Sequence, residues 1–152
     1  AHRDLHLSLR RQRQMCIRDR INVPAKFRKA LSPEAKKTYV LTRGLEGCIF
    51  VYPLDVWEKI EERLRALPPT KESRYFLRMF ISHAHEVTED GQGRILLPQS
   101  LLEFAKIDKK VLIIGALERM EIWNPELFTG YLEKFERTYE QIAEEMAKIT
   151  PF

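Results

Sequence analysis

Asp90-Gly-Gln-Gly-Arg-Ile-Leu-Leu-Pro98 is the stretch whose reading decides the fold. Asp-Gly and Gly93 supply the positive-φ positions a tight turn needs, and Ile95, Leu96 and Leu97 read as a short buried strand. Arg94 therefore falls where turn becomes strand. A guanidinium at such a corner is held by a stiff element yet points outward, which suits bidentate contact with a phosphate or a guanine edge. The plainer reading is a surface hairpin with a solvated arginine, and this stretch alone does not separate the two.

The stretch has an echo. Arg20-Ile-Asn-Val-Pro24 repeats Arg94-Ile-Leu-Leu-Pro98 at an offset of 74 residues. Further on, Val40-Leu41-Thr42-Arg43-Gly44 parallels Val111-Leu112-Ile113-Ile114-Gly115, and Tyr52, Trp57 and Leu64 fall on Trp123, Phe128 and Phe135, now at an offset of 71. Single apolar residues recur by chance, whereas an ordered series of Arg, Pro, Gly, aromatic and helix positions does not. The chain is read as an internal duplication, with one copy near residues 16–80 and the other near 90–150.

Composition fits two small fused units. The 152 residues are 44% hydrophobic and 32% charged, ordinary values for a globular chain. Leu5-His-Leu-Ser-Leu9 is too short and polar for a signal-peptide core, and no apolar run is long enough to span a bilayer, so a cytoplasmic protein is expected. Cys16 and Cys48 have neither metal-ligand spacing nor the look of a disulfide framework. The formal charge of +4 is carried by the first twenty residues, which hold six arginines and two aspartates, and the remaining 132 are balanced. Within that neutral body the signs separate. Lys26 to Arg43 has six basic residues against one acidic, and Glu118 to Lys148 has eight acidic against four basic. An oriented nucleic-acid binder would show such a division, and chance clustering can also give it.

Between these landmarks the patterns are simple. Residues 1 to about 15 show no strand or helix period. Ala25 to Leu31 suits a short helix after Pro24, which Ser32-Pro33 ends. Thr38 to Thr42 and Cys48 to Tyr52 read as a hairpin, and Pro53 to Leu67 as an amphipathic helix with Trp57, Ile60, Leu64 and Leu67 on one face. Thr70 to Ile81 reads as a linking helix whose stripe of Tyr75, Phe76, Met79 and Phe80 is expected to pack between the copies. His83 and His85 share a strand face but lack an evident third metal ligand. The second copy then gives a short helix from Gln99 to Ala105, a hairpin from Val111 to Trp123 and one long helix. Asn124 caps that helix, and its stripe of Phe128, Tyr131, Leu132, Phe135, Tyr139, Ile142 and Met146 is broad enough to reach a neighbouring subunit. Phosphate loops, nucleophile elbows and metalloprotease motifs are missing, so no enzyme is expected.

Three segments carry a family likeness: Pro24-Ala-Lys-Phe-Arg28, Val40-Leu-Thr-Arg-Gly44 with Gly47 and Tyr52-Pro53, and Asp90-Gly-Gln-Gly-Arg94 through Pro98. From about Arg20 to about Lys148 the chain resembles the MraZ family of bacterial transcriptional regulators, relatives of the AbrB-type swapped-hairpin DNA-binding domains. The resemblance implies an α+β fold of two tandem AbrB-like β-barrel units about a pseudo-twofold axis, with flanking helices. It also implies a ring-shaped homo-oligomer that represses the division and cell-wall gene cluster by binding short G-rich direct repeats. In the family each repeat carries D-x-x-x-R. The second is intact as Asp90 and Arg94, whereas in the first the aspartate position falls on Cys16, Arg18-Asp19 replaces the expected Lys-Gly, and only Arg20 remains.

The family's opening strand is not recognisable upstream of Arg20. Residues 1–19 are therefore expected to be foreign to the family pattern or disordered, with 20–82 as the first unit and 83–150 as the second. Arg20 and Arg94 are expected to touch DNA, Arg18, Lys26 and Arg28 to bind phosphates, and Asp90 to orient Arg94. The expected partners are double-stranded DNA in the nucleoid and further copies of the chain, with no cofactor, metal, membrane or small-molecule substrate. Two rival readings are an AbrB-type antitoxin whose last helix holds a toxin, and a protein-interaction scaffold indifferent to DNA.

Overall fold

The computed structural model describes residues 19–152, together with the backbone of Gln14–Cys16. In chain order the strands are β1 (Gln14–Cys16), β2 (Arg20–Asn22), β3 (Thr38–Arg43), β4 (Ile49–Pro53), β5 (His85–Thr88), β6 (Arg94–Leu96), β7 (Lys110–Ala116) and β8 (Arg119–Trp123). The helices are α1 (Ala25–Lys29), α2 (Leu54–Arg65), α3 (Lys71–Phe80), α4 (Gln99–Phe104), α5 (Pro125–Lys134) and α6 (Tyr139–Ile149). The fold is α+β. Six strands form one sheet in the order β1-β7-β8-β4-β3-β5, and β2 pairs with β6 in a separate two-stranded sheet.

Alternation along the strands builds two cores, one on each face of the large sheet. Tyr39, Leu41, Ile49, Val51, Val111, Ile113, Met120 and Ile122 point to one face, where Ile21 and Ile95 of the small sheet and Leu101 of α4 cover them. The intervening residues Val40, Phe50, Tyr52 and Trp123 point to the other face, where Trp57 of α2, Phe80 of α3 and Phe128 and Tyr131 of α5 pack. Burial on both faces is why Ile49–Pro53 is buried throughout and shows no polar alternation.

Every antiparallel neighbour joins strands far apart in the chain or closes a hairpin. β3 and β4 form one hairpin and β7 and β8 another, and β4 pairs with β8 between them. β5 lies on β3, with His85 opposite Leu41, and β1 lies on β7, with Gln14 opposite Leu112. Gly44 is held close inside the first turn. A Cβ there would meet Phe50 at 2.6 Å and the Cys48 sulfur at 2.8 Å. Burial pushes the Cys48 thiol up to about 12, so it stays protonated and acts as a small core residue.

Three expectations need correction. The backbone of Gln14–Cys16 is a strand on β7, although the sequence there shows no strand period. A strand of three residues has too few positions to display alternation, and its partner supplies the order. Second, the long terminal helix is two helices. Phe135 leaves the helical region at φ −65°, ψ 132°, and Thr138 begins α6 with a capping box to Gln141. Third, the stripe of α3 is only partly covered: Phe80 is buried in the core that holds Trp57 and Trp123, its O accepting from Thr42 Oγ1, and the stripe lines a cleft with Arg43 and Phe104, while Tyr75 stands 67% exposed. At the start of α5 the expected cap is present, as Asn124 Oδ1 accepts from the N–H groups of Glu126 at 2.9 Å and Leu127 at 3.2 Å.

Candidate nucleic-acid interface

The small sheet fixes the arginines. Ile21 faces Ile95 across β2 and β6, and both are buried, at 1% and 0% exposure. Burying an isoleucine contributes about 1.5–3 kcal/mol, and because side chains alternate, the same pair forces its neighbours Arg20, Asn22, Arg94 and Leu96 to the opposite, outward face. Arg94 lies opposite Asn22 and Arg20 opposite Leu96, so the two arginines are diagonal neighbours on one surface. Two flanking bonds lock the crossing. The Val23 N–H donates to Gly93 O at 3.0 Å and the Leu97 N–H to Asp19 O at 2.7 Å.

Asp90 organises the turn before Arg94. Its Oδ1 accepts from the Gln92 N–H at 2.8 Å and the Arg94 N–H at 3.0 Å, and Oδ2 accepts from Arg94 Nε at 2.9 Å. The backbone N–H of Arg94 is the leading reason the carboxyl is held below the usual aspartate range, with the Gln92 N–H and the Arg94 side chain adding to it against partial desolvation. Gly93 sits in the left-handed region at φ +75°, and a Cβ there would meet Arg28 Nη1 at 2.5 Å, so the Arg28 guanidinium lies against the turn. One residue upstream of Asp90, Glu89 accepts from the Tyr39 hydroxyl at 2.6 Å and its N–H donates to Lys37 O at 2.9 Å. Burial, then Glu89, push the Tyr39 hydroxyl far above its ordinary value, so it remains a donor that anchors the loop.

Among the sequence-predicted residues, the structure brings Arg20, Arg94, Asp90 and Arg28 together around the β2–β6 corner. Arg20 Nη1 stands 3.8 Å from Asp90 Oδ2, and the side chains of Arg20, Arg94 and Asp90 are 45%, 40% and 24% exposed. Lys26 is exposed on α1, one turn before the end of that helix. Arg18 lies outside the described residues.

Sequence reading missed Asn22, which the ladder places beside Arg94 on the outward face; the alternation in Arg-Ile-Asn was the signal for it. It also missed the supporting roles of Glu89 and Tyr39, for which no motif exists. Lys36 and Lys37 line a cleft with Arg28 and extend the basic surface. In the second copy α4 itself carries no basic residue, reading Gln-Ser-Leu-Leu-Glu-Phe where α1 reads Ala-Lys-Phe-Arg-Lys, and Lys106, Lys109 and Lys110 line a separate cleft after it.

The histidines are engaged elsewhere. His83 Nδ1 lies 2.9 Å from Met79 O and His85 Nε2 3.5 Å from Ser100 Oγ. Among the described residues no group of three or more metal-ligating side chains forms, and no helix is long and apolar enough to cross a membrane.

Comparison with known proteins agrees with the duplicated plan. A family model described as "MraZ protein, putative antitoxin-like" matches twice, over residues 17–79 and 80–149. A relative named transcriptional regulator MraZ from Natranaerobius thermophilus is 48% identical over 128 residues, covering 84% of this chain and 87% of that protein. Relatives of the same name from Carboxydothermus hydrogenoformans and Syntrophomonas wolfei are 43% and 44% identical, over 87% and 91% of this chain and 90% and 94% of theirs.

Proposed function

The chain belongs to the MraZ family, and we propose that it is a transcriptional regulator that binds DNA through the β2–β6 corner. The observation that carries this reading is the pair of outward arginines set diagonally on a ladder whose other face is buried core. Arginine paired with guanine O6 and N7 is the commonest base-specific contact and discriminates by about 1–3 kcal/mol. Arg94 donates through Nε to Asp90, which leaves the Nη pair for such a fork. Arg28, Lys26 and Arg18 then serve the phosphates, which position the protein without reading sequence.

The reading extends to architecture and target. Residues 20–82 and 83–150 form two AbrB-like swapped-hairpin units about a pseudo-twofold axis. Support comes from the strand pairs: β1 lies on β7 as β5 lies on β3, Cys16 opposite Lys110 corresponding to Val87 opposite Tyr39 at an offset of 71 residues in each strand, while β2 pairs with β6 and β4 with β8. Several subunits assemble into a ring. An apolar surface on α5 and α6, including Leu132, Phe135, Tyr139, Met146 and Ile149, is left exposed in the single chain and supports self-association. The target is a set of G-rich direct repeats at the promoter of the division and cell-wall gene cluster, where the protein acts as a repressor in the nucleoid. A body with balanced charge gives one protomer little nonspecific attraction, so linked corners must engage successive repeats together.

The test is Arg94→Ala in a gel shift with repeat DNA. Binding weakens roughly 5- to 150-fold while the oligomer keeps its size. Unchanged binding removes Arg94 from the site. The antitoxin alternative gives a different result: the exposed α5–α6 surface recovers a stoichiometric second protein from cells in place of further copies of the chain.

A further inference from the structure

We propose that Asp90 is a positioning residue for Arg20 as well as for Arg94, one carboxylate aligning the leading arginine of both copies. This rests on the DNA-binding reading and deepens it. Three residues separate β1 from β2, whereas five separate β5 from β6, and the position four before Arg20 is Cys16 rather than an aspartate. Strand register also removes the apparent aspartate station at Cys16, because Cys16 stands opposite Lys110 as Val87 stands opposite Tyr39. Arg20 nonetheless has a counter-charge among the described residues.

The ladder supplies it. With Ile21 fixed against Ile95, Arg20 and Arg94 project from the same face, and Asp90 reaches both, at 2.9 Å to Arg94 Nε and 3.8 Å to Arg20 Nη1, through the same oxygen, Oδ2. Asp90 is itself immobilised by two backbone N–H groups through Oδ1. It is thus a fixed anion between two long cations, and it restricts rotamers that each arginine would otherwise lose only on meeting DNA. The ion pair at Arg20 Nη1, longer than a hydrogen bond, does not engage Nε or Nη2. The contacts are unequal, one short and one long, so the corner presents a tightly set arginine beside a more loosely set one.

The experiment reads Arg20 directly. In Asp90→Asn the amide oxygen still accepts the turn bonds, so the loop keeps its form while the charge is lost. Side-chain 15N relaxation on the full chain without DNA should show the Arg20 Nε–Hε group losing order in Asp90→Asn and keeping it in Arg94→Ala. Equal order in wild type and Asp90→Asn overturns the proposal.

A second arm uses duplexes carrying tandem guanine-rich repeats or a scrambled sequence. On an Arg94→Ala background, Asp90→Asn lowers the repeat-to-scrambled affinity ratio by roughly two- to fivefold, the range for an exposed ion pair. On an Arg20→Ala, Arg94→Ala background it changes nothing. The same effect on both backgrounds counts against Asp90 acting through Arg20. Wild type that fails to prefer the repeats refutes the DNA reading, and the relaxation measurement then decides the Asp90 proposal by itself.

Discussion

Gly93 shows how narrow the tolerance is at the level of one residue. Its φ of +75° costs an L side chain about 1–2 kcal/mol, and an added methyl would also displace the Arg28 guanidinium from 2.5 Å away. Gly93→Ala should therefore lower the urea midpoint by a corresponding amount and weaken DNA binding beyond what the stability change explains. Asp90 gives a prediction with a sign. Its carboxyl is held below the ordinary range in the folded chain, so its contribution is fully present above the unfolded value near pH ~4 and is lost as pH falls through the lower folded value. Denaturation midpoints followed from pH ~6 to ~2 should fall less steeply in Asp90→Asn than in wild type. Identical acid limbs would show that the Asp90 bonds carry no linkage. Asp90 and Arg94 were legible in the sequence because a turn and its strand are local. The approach of Arg20 to Asp90 was not, since it depends on a register between strands 74 residues apart.

Among the elements, β1 and the α5–α6 junction show two different reasons for misreading. β1 has only Gln-Met-Cys to display a pattern, and its existence depends on the exposed edge of β7. The junction was readable. Thr138-Tyr-Glu-Gln141 is a capping box, yet the apolar stripe running from Phe128 to Met146 masked it, because period alone does not register a break that keeps the stripe in phase. Thr138→Ala should destabilise α6 by about 0.5–2 kcal/mol, seen as faster amide exchange in 139–149 with α5 unaffected. Uniform exchange across 125–149 in both proteins would mean that the cap does not define the helix. The hairpins and α2 were legible throughout, since β-branched runs bounded by Gly-containing turns, and a stripe at spacings of three and four, survive without knowledge of partners.

For the whole molecule, the large sheet separates two differently covered faces. One face carries α2, α3 and α5 and leaves an apolar surface on the terminal helices. The other is roofed by the small sheet, whose outward side holds Arg20 and Arg94. On the proposed reading, assembly and DNA recognition use opposite sides of the large sheet. The sequence suggested a division through its charges, basic from Lys26 to Arg43 and acidic from Glu118 to Lys148, but only the sheet order shows that β3 of the first segment and β8 of the second stand with β4 between them. The most direct test is a salt titration of wild-type binding to duplexes with tandem guanine-rich repeats and to scrambled duplexes of equal length. Affinity for both should fall as salt rises, because phosphate contacts contribute to each, while a preference for the repeats persists at every salt and disappears in the Arg20→Ala, Arg94→Ala double variant. Equal affinity for the two duplexes in wild type, or a preference that survives the double substitution, would contradict a guanine-reading role for this corner.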